Sequence, residues 1–188
     1  KFKDYEEIIM HYNNTLDDLS FGNDSEKFEK ALQEIGILLG VESQRPDKEI
    51  RKGADNLWCV ESNKYMMFEC KNEVRENRNT ISRREAGQMD QHCNWFEDEY
   101  GNAIVKRIMI ISTKNLSQDA YFAREVEIMR KSRLRDLKTN IKSFINEFKF
   151  HVISGVEDET ISAWLITHGL DVESLFSQYS EKPYKKTK

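Results

Sequence analysis

The stretch Gly53-Ala54-Asp55-Asn56-Leu57-Trp58-Cys59-Val60-Glu61, then Ser62-Asn63-Lys64 and Tyr65-Met66-Met67-Phe68-Glu69-Cys70-Lys71, decides how this chain is read. Two apolar-rich runs around a short polar break predict a β-hairpin. Side chains alternate along a strand, so Met66, Phe68 and Cys70 point one way while Glu69 and Lys71 point the other, roughly 7 Å apart. A three-residue loop at Ser62-Asn63-Lys64 pairs Glu61 with Tyr65 and sets Asp55 opposite Lys71. Directly opposed residues share a face, and diagonal neighbours lie within reach of long side chains. Asp55, Glu69 and Lys71 are therefore expected on one patch, backed by Trp58, Val60, Met66 and Phe68. Gathering two carboxylates and an ammonium costs free energy, and a metal-assisted site is one reason to do so.

The bland alternative is a cross-strand salt bridge on a solvated sheet face, worth under about 1 kcal/mol. An acid followed two residues later by Lys is a weak pattern where 33% of residues are charged, and Asp136-Leu137-Lys138 and Glu147-Phe148-Lys149 repeat it. Those two lie in a helically periodic stretch, where residues two apart face different sides. Only Glu69-Cys70-Lys71 ends an apolar strand and follows an acid placed by a hairpin, so the functional reading is preferred. Asp47, in the turn Gln44-Arg45-Pro46-Asp47, rivals Asp55 as the first acid, but it lies outside the hairpin and lacks its pairing.

Working outward, residues 3–19 repeat Tyr5, Ile8, Ile9, Tyr12, Leu16 and Leu19 at helical spacing. A second helix is expected from about Ser25 to Leu39, with Glu34 bordering its apolar stripe. Downstream of the hairpin, residues 72–81 read as a polar, basic loop at the rim of the patch. Ser82-Arg83-Arg84-Glu85 fits a capping box opening a helix to about Tyr100, with Gly101 as its stop. Ala86, Met89, Cys93 and Phe96 form its expected buried stripe, with Gln88, Gln91, His92 and Trp95 to the sides. His92 has no Cys or His at metal spacing and is read as a partly exposed helical histidine. Ala103 to Ser112 is the clearest inner strand, a near-continuous branched run. A capped helix is expected near Ser117, with helical periodicity continuing to Phe148. A short strand at residues 150–153 and helices over about 158–168 and 171–179 follow. Arg130-Lys131-Ser132-Arg133-Leu134-Arg135 is the densest basic cluster, read as a solvated helix face.

The 188 residues suffice for one domain with appendages and a real core. Starting at Lys1 suggests a piece of a larger protein. No run approaches a membrane span or a secretory signal. Three cysteines with no CxxC pair suit reduced thiols and a cytoplasmic or nucleoid-associated location. With a net charge of −4, a polyanionic partner must be met by local basic patches.

The order helix, hairpin, helix, strand, with Gly53-Ala54-Asp55 at the hairpin's entry and Phe68-Glu69-Cys70-Lys71 at its exit, resembles the PD-(D/E)XK nuclease superfamily, the restriction-endonuclease-like fold of type II restriction enzymes and RecB-like and Mrr-like nuclease domains. The resemblance covers roughly residues 25–115. It implies an α/β protein with a three-layer α/β/α core around a mixed central sheet, to which the helical periodicity adds extra helices at both ends, those after about residue 115 lying outside the resemblance. Residues 1–24 would be an N-terminal helix on that core, 116–180 a helical part completing the domain, and 181–188 a disordered basic tail. Glu34 matches a helical acid of part of the superfamily, and Gln88 or Gln91 the glutamine on the following helix of RecB-like and Mrr-like members. Gln91 and Trp95 resemble a Gln-x-x-x-Tyr element with Trp in place of Tyr.

The implied chemistry is Mg²⁺- or Mn²⁺-dependent hydrolysis of DNA phosphodiesters. Asp55, Glu69, the Cys70 backbone C=O and Glu34 would ligate the ion. Lys71 would orient or deprotonate the attacking water and stabilise developing negative charge, with Gln88 and Gln91 beside it. Arg75, Arg78, Arg83 and Arg84 are the expected phosphate contacts. Nothing in the sequence selects DNA over RNA, though no stacking array favours RNA. Double-strand cleavage would need two sites, hence a homodimer or further domains of a longer parent chain. The alternative is a catalytically inactive copy of the same fold that binds nucleic acid or serves assembly.

Overall fold

The computed structural model describes residues 4–73, 78–148, 151 and 155–185. Its five strands are β1 (Glu42–Gln44), β2 (Asn56–Glu61), β3 (Lys64–Cys70), β4 (Ile104–Ile110) and β5 (Glu127–Met129). They lie side by side in the order β1-β2-β3-β4-β5. The first two pairings are antiparallel and the last two parallel, so the sheet is mixed. Around it run α1 (Tyr5–Asp18), α2 (Ser25–Leu38), α3 (Pro46–Glu49), α4 (Arg83–Tyr100), α5 (Lys131–Phe148), α6 (Asp158–Thr167) and α7 (Val172–Ser177).

Period-two alternation sorts the sheet's side chains onto two faces. Trp58, Met66, Phe68, Cys70, Ile108 and Ile110 pack with apolar residues of α1, α2, α5 and α7. Leu57, Met67, Met109 and Ile128 pack with Met89, Cys93 and Phe96 of α4. Helices thus cover both faces of an α/β sheet. Three helix starts have a clear local cause: Asp4 accepts from Glu7 N, Asp24 from Lys27 N, and Ser82 with Glu85 completes a capping box. Gly101 ends α4 at φ 60°. Among the described residues, no helix is long and apolar enough to cross a membrane.

The hairpin departs from its expected register. Asn56 pairs with Phe68 and Cys59 with Tyr65, then a bulge brings Glu61 opposite Lys64. The turn is tighter than a three-residue loop, with Asn63 at φ 62°, which Asn tolerates better than most residues. The pairing slides by two residues, and an even slide leaves every side chain on its own face. Extended by one residue, it brings Asp55 level with Glu69 rather than with Lys71.

Other expectations fail for local reasons. Gln44 to Asp47 is not a simple turn: β1 ends at Gln44 and Pro46 opens α3, where its fixed φ suits the first helical turn. No helix starts at Ser117, whose hydroxyl bonds to Asp119 while its N–H bonds to Ile81. Glu127–Met129 instead pairs with β4, and α5 begins only at Lys131. Residues 181–185 are not a free tail: Glu181 pairs with Ile128, and Tyr184 with Asn115. The expected strand at 150–153 and residues 186–188 of the tail fall largely or wholly outside the described residues.

Candidate functional site

The parallel strands β3, β4 and β5 end level with one another, Cys70 beside Ile110 and Ile110 beside Met129. The N-termini of α4 and α5 follow at this same sheet edge, from opposite faces. Asp55 enters here because the segment before β2 is pinned. Gly53 adopts φ 90° and the Trp95 indole lies against it, so a Cβ would come within 2.6 Å of the ring. Only glycine fits that combination. Ala54 is fully buried, and its carbonyl accepts from Asp47 N at 3.3 Å.

Two groups of acids meet at this edge. Asp55 Oδ2 accepts from Cys70 N at 2.6 Å. Glu29, Asp47 and Asp55 each offer an oxygen, all within 4.8 Å of one another. Burial raises the Asp55 carboxyl to about 7, aided by the charge of Glu69 and opposed by the Cys70 N–H. Burial likewise raises Asp47 and Glu29 above the usual carboxylate range. Arg45 Nη2 holds Glu29 at 2.5 Å, whereas Asp47 Oδ1 is buried without a hydrogen-bond partner.

Glu69 forms the second group. It is fully buried, with Lys71 Nζ 2.5 Å from Oε1 and His92 Nδ1 2.6 Å from Oε2. Burial pushes its carboxyl up, but the imidazole and the ammonium outweigh that and hold it below the ordinary value. Burial would lower Lys71, yet Glu69 and Asp55 raise it, which keeps it an ammonium.

Comparison with protein-family models, curated proteins and solved structures finds no match. What this edge can do therefore rests on its own chemistry. Hard divalent cations take oxygen ligands, and a doubly charged ion would offset the burial and the neighbouring acids that raise Asp55 and give the orphaned Asp47 oxygen a partner. The residues fit Mg²⁺ or Mn²⁺.

The sequence-predicted residues divide. Asp55, Glu69 and Lys71 meet at the strand ends, while Cys70 contributes its N–H to Asp55. Arg83, Arg84, Gln88 and Gln91 line an open groove of about 670 Å³ together with His92. Glu34 does not join them: it accepts from Thr15 Oγ1 at 2.9 Å and lies 3.3 Å from His11, facing α1. Glu29, five residues earlier, turns to the site instead. Arg78 is spent on a two-pronged pair with Glu85, so it braces the α4 cap. Arg75 lies outside the described residues. Asp47 is a companion of Asp55 rather than its substitute.

Two residues escaped the sequence reading. His92 lacks a His or Cys partner, and its actual partner, Glu69, lies 23 positions back on the sheet. Glu29 sits on the apolar side of α2, among Phe28, Ala31 and Leu32. A charged residue inside that stripe was the available signal.

Proposed function

We propose that this chain is a metal-dependent nuclease domain of PD-(D/E)XK type, with the three-layer core that type implies, hydrolysing DNA phosphodiesters. The observation that carries the reading is the convergence of Asp55, Glu69 and Lys71 at one sheet edge, with Asp47 and Glu29 against Asp55. Asp55, Asp47 and Glu29 would hold the ion. When bound, a divalent cation activates a coordinated water and offsets charge on the phosphate. Glu69 anchors Lys71, and the Lys71 ammonium stabilises negative charge developing on the phosphoryl oxygens. Arg83, Arg84, Gln88 and Gln91 position the strand along the α4 groove. Three free thiols suit a reducing compartment such as the cytoplasm.

Purified protein with supercoiled and linear DNA should cut in Mg²⁺ or Mn²⁺ and stop in EDTA. Cutting that persists in a Glu69→Ala, Lys71→Ala double variant refutes the assignment.

One observation favours the catalytically silent reading. Glu69 is held by Lys71 and His92, and Glu29 by Arg45, so several charges are compensated from within. Calorimetry separates the two: a silent binding module takes up no Mn²⁺ and keeps its DNA affinity in Asp55→Asn.

A further inference from the structure

The α1–α2 turn and the first half of α5 enclose an open pocket of about 330 Å³. Lys131, Arg135 and Lys138 line it at i, i+4 and i+7, a spacing that puts all three on one helix face. Leu19, Phe21 and Leu134 supply its apolar wall. Phe21 is half-buried, its ring 6.4 Å from that of Phe28, and it lines the pocket. Like charges three and four residues apart repel, and among the described residues neither Arg135 nor Lys138 is held close by a carboxylate. Lys138 Nζ bonds to a hydroxyl, Ser20 Oγ, at 2.7 Å rather than to a carboxylate. Burial keeps that ammonium below its ordinary value, with the Asp17 charge opposing. Arg135 is 75% exposed, and among the described residues its ion-pair contact is Asp136 at 3.9 Å.

The pocket's position connects it with the acids. Gly22 N donates to Asn72 O at 2.9 Å, and Asn72 Nδ2 to Asn23 O at 2.7 Å. The turn carrying Phe21 is therefore tied to the residue after Lys71. The α5 side begins two residues after Met129, level with Cys70 through Ile110 and two strand spacings away, roughly 10 Å. The pocket thus flanks the strand ends on the α5 face, as the Arg83–His92 groove flanks them on the α4 face.

We propose that this pocket binds one unpaired nucleotide of the substrate strand, with its phosphate on Arg135 and Lys138 and its base against Phe21. The inference rests on the nucleic-acid reading above and makes its preferred ligand a single-stranded segment or end. A strand lying over Lys71 would then be gripped on both sides of the sheet. Cations track the backbone and an aromatic ring takes the base, a sequence-tolerant combination.

The test is fluorescence anisotropy with a labelled single-stranded oligodeoxynucleotide in EDTA, so that binding is read without cleavage. Lys138→Gln and Arg135→Gln should each weaken binding about tenfold and reduce the log–log salt slope by about 0.7 per lost phosphate contact. Lys138→Arg should restore most of the affinity. Phe21→Ala should weaken single-strand binding about tenfold and leave a fully paired duplex unchanged. Unchanged affinity in both charge variants, or no wild-type binding, overturns the proposal. Equal loss on single strand and duplex in Phe21→Ala overturns the stacked base. Protein that binds in this pattern yet never cuts would sink the nuclease reading and leave the subsite standing.

Discussion

Asp55 and Glu69 sit in one site under opposite electrostatic regimes. Both are pushed toward the neutral form by burial, and only Glu69 escapes, because the Lys71 ammonium and the His92 ring lie within 2.6 Å of its oxygens. Asp55 has one backbone N–H and a neighbourhood of further acids. Glu69 is a finished ion pair whose work is to hold a lysine in place. Asp55 is an unfinished one, which under the proposed function a divalent cation would complete.

The strongest way to break this comparison is to remove the compensated acid. Glu69→Ala leaves Lys71 and His92 half-buried without their partner and should cost about 3 kcal/mol of stability, read by urea unfolding. Glu69→Gln, which keeps the shape, should lower the rate of DNA cleavage about a thousandfold. Next comes the uncompensated acid. At a Mn²⁺ concentration about 100 times its dissociation constant, wild type should gain about 2.7 kcal/mol, a rise in melting temperature of roughly 5–10 °C. Asp55→Asn should abolish that rise.

A smaller effect follows from proton linkage. In EDTA, folded Asp55 holds its proton up to about 7 while an ordinary Asp releases it near 3.8, so the folded state binds more protons between those values. The Asp55 contribution to stability should therefore fall as pH rises through that window and level off above it. Asp55→Asn should remove this component, measured as melting temperature against pH. The smallest effect separates two helical acids: Glu29→Gln should weaken Mn²⁺ binding about tenfold, whereas Glu34→Gln should leave it unchanged in the same calorimetric titration.

These contrasts mark where local pattern stops. Period-two alternation was enough to place Asp55, Glu69 and Lys71 near one another, because a hairpin slip of two residues preserves face even when the turn is misjudged. The capping box and stripe of α4 were legible because Ser82, Glu85, Met89, Cys93 and Phe96 speak through contacts three and four residues apart. By contrast, β5 has only three residues and no alternation long enough to register, and its partner β4 is remote in sequence. Periodicity running on from α5 was mistaken for one longer helix.

By itself, then, the order of residues determined α1, α2, α4, the hairpin and β4, where the pattern is long and bounded by caps or turns, and which side of the hairpin carries charge. The tertiary structure alone decided which acid of α2 faces the strand ends, that His92 meets Glu69, and that the basic start of α5 lies at the same edge. The reason is physical. Secondary structure is written in neighbours a few positions apart, whereas the fields that raise Asp55 and lower Glu69 come from side chains brought together across the sheet by packing.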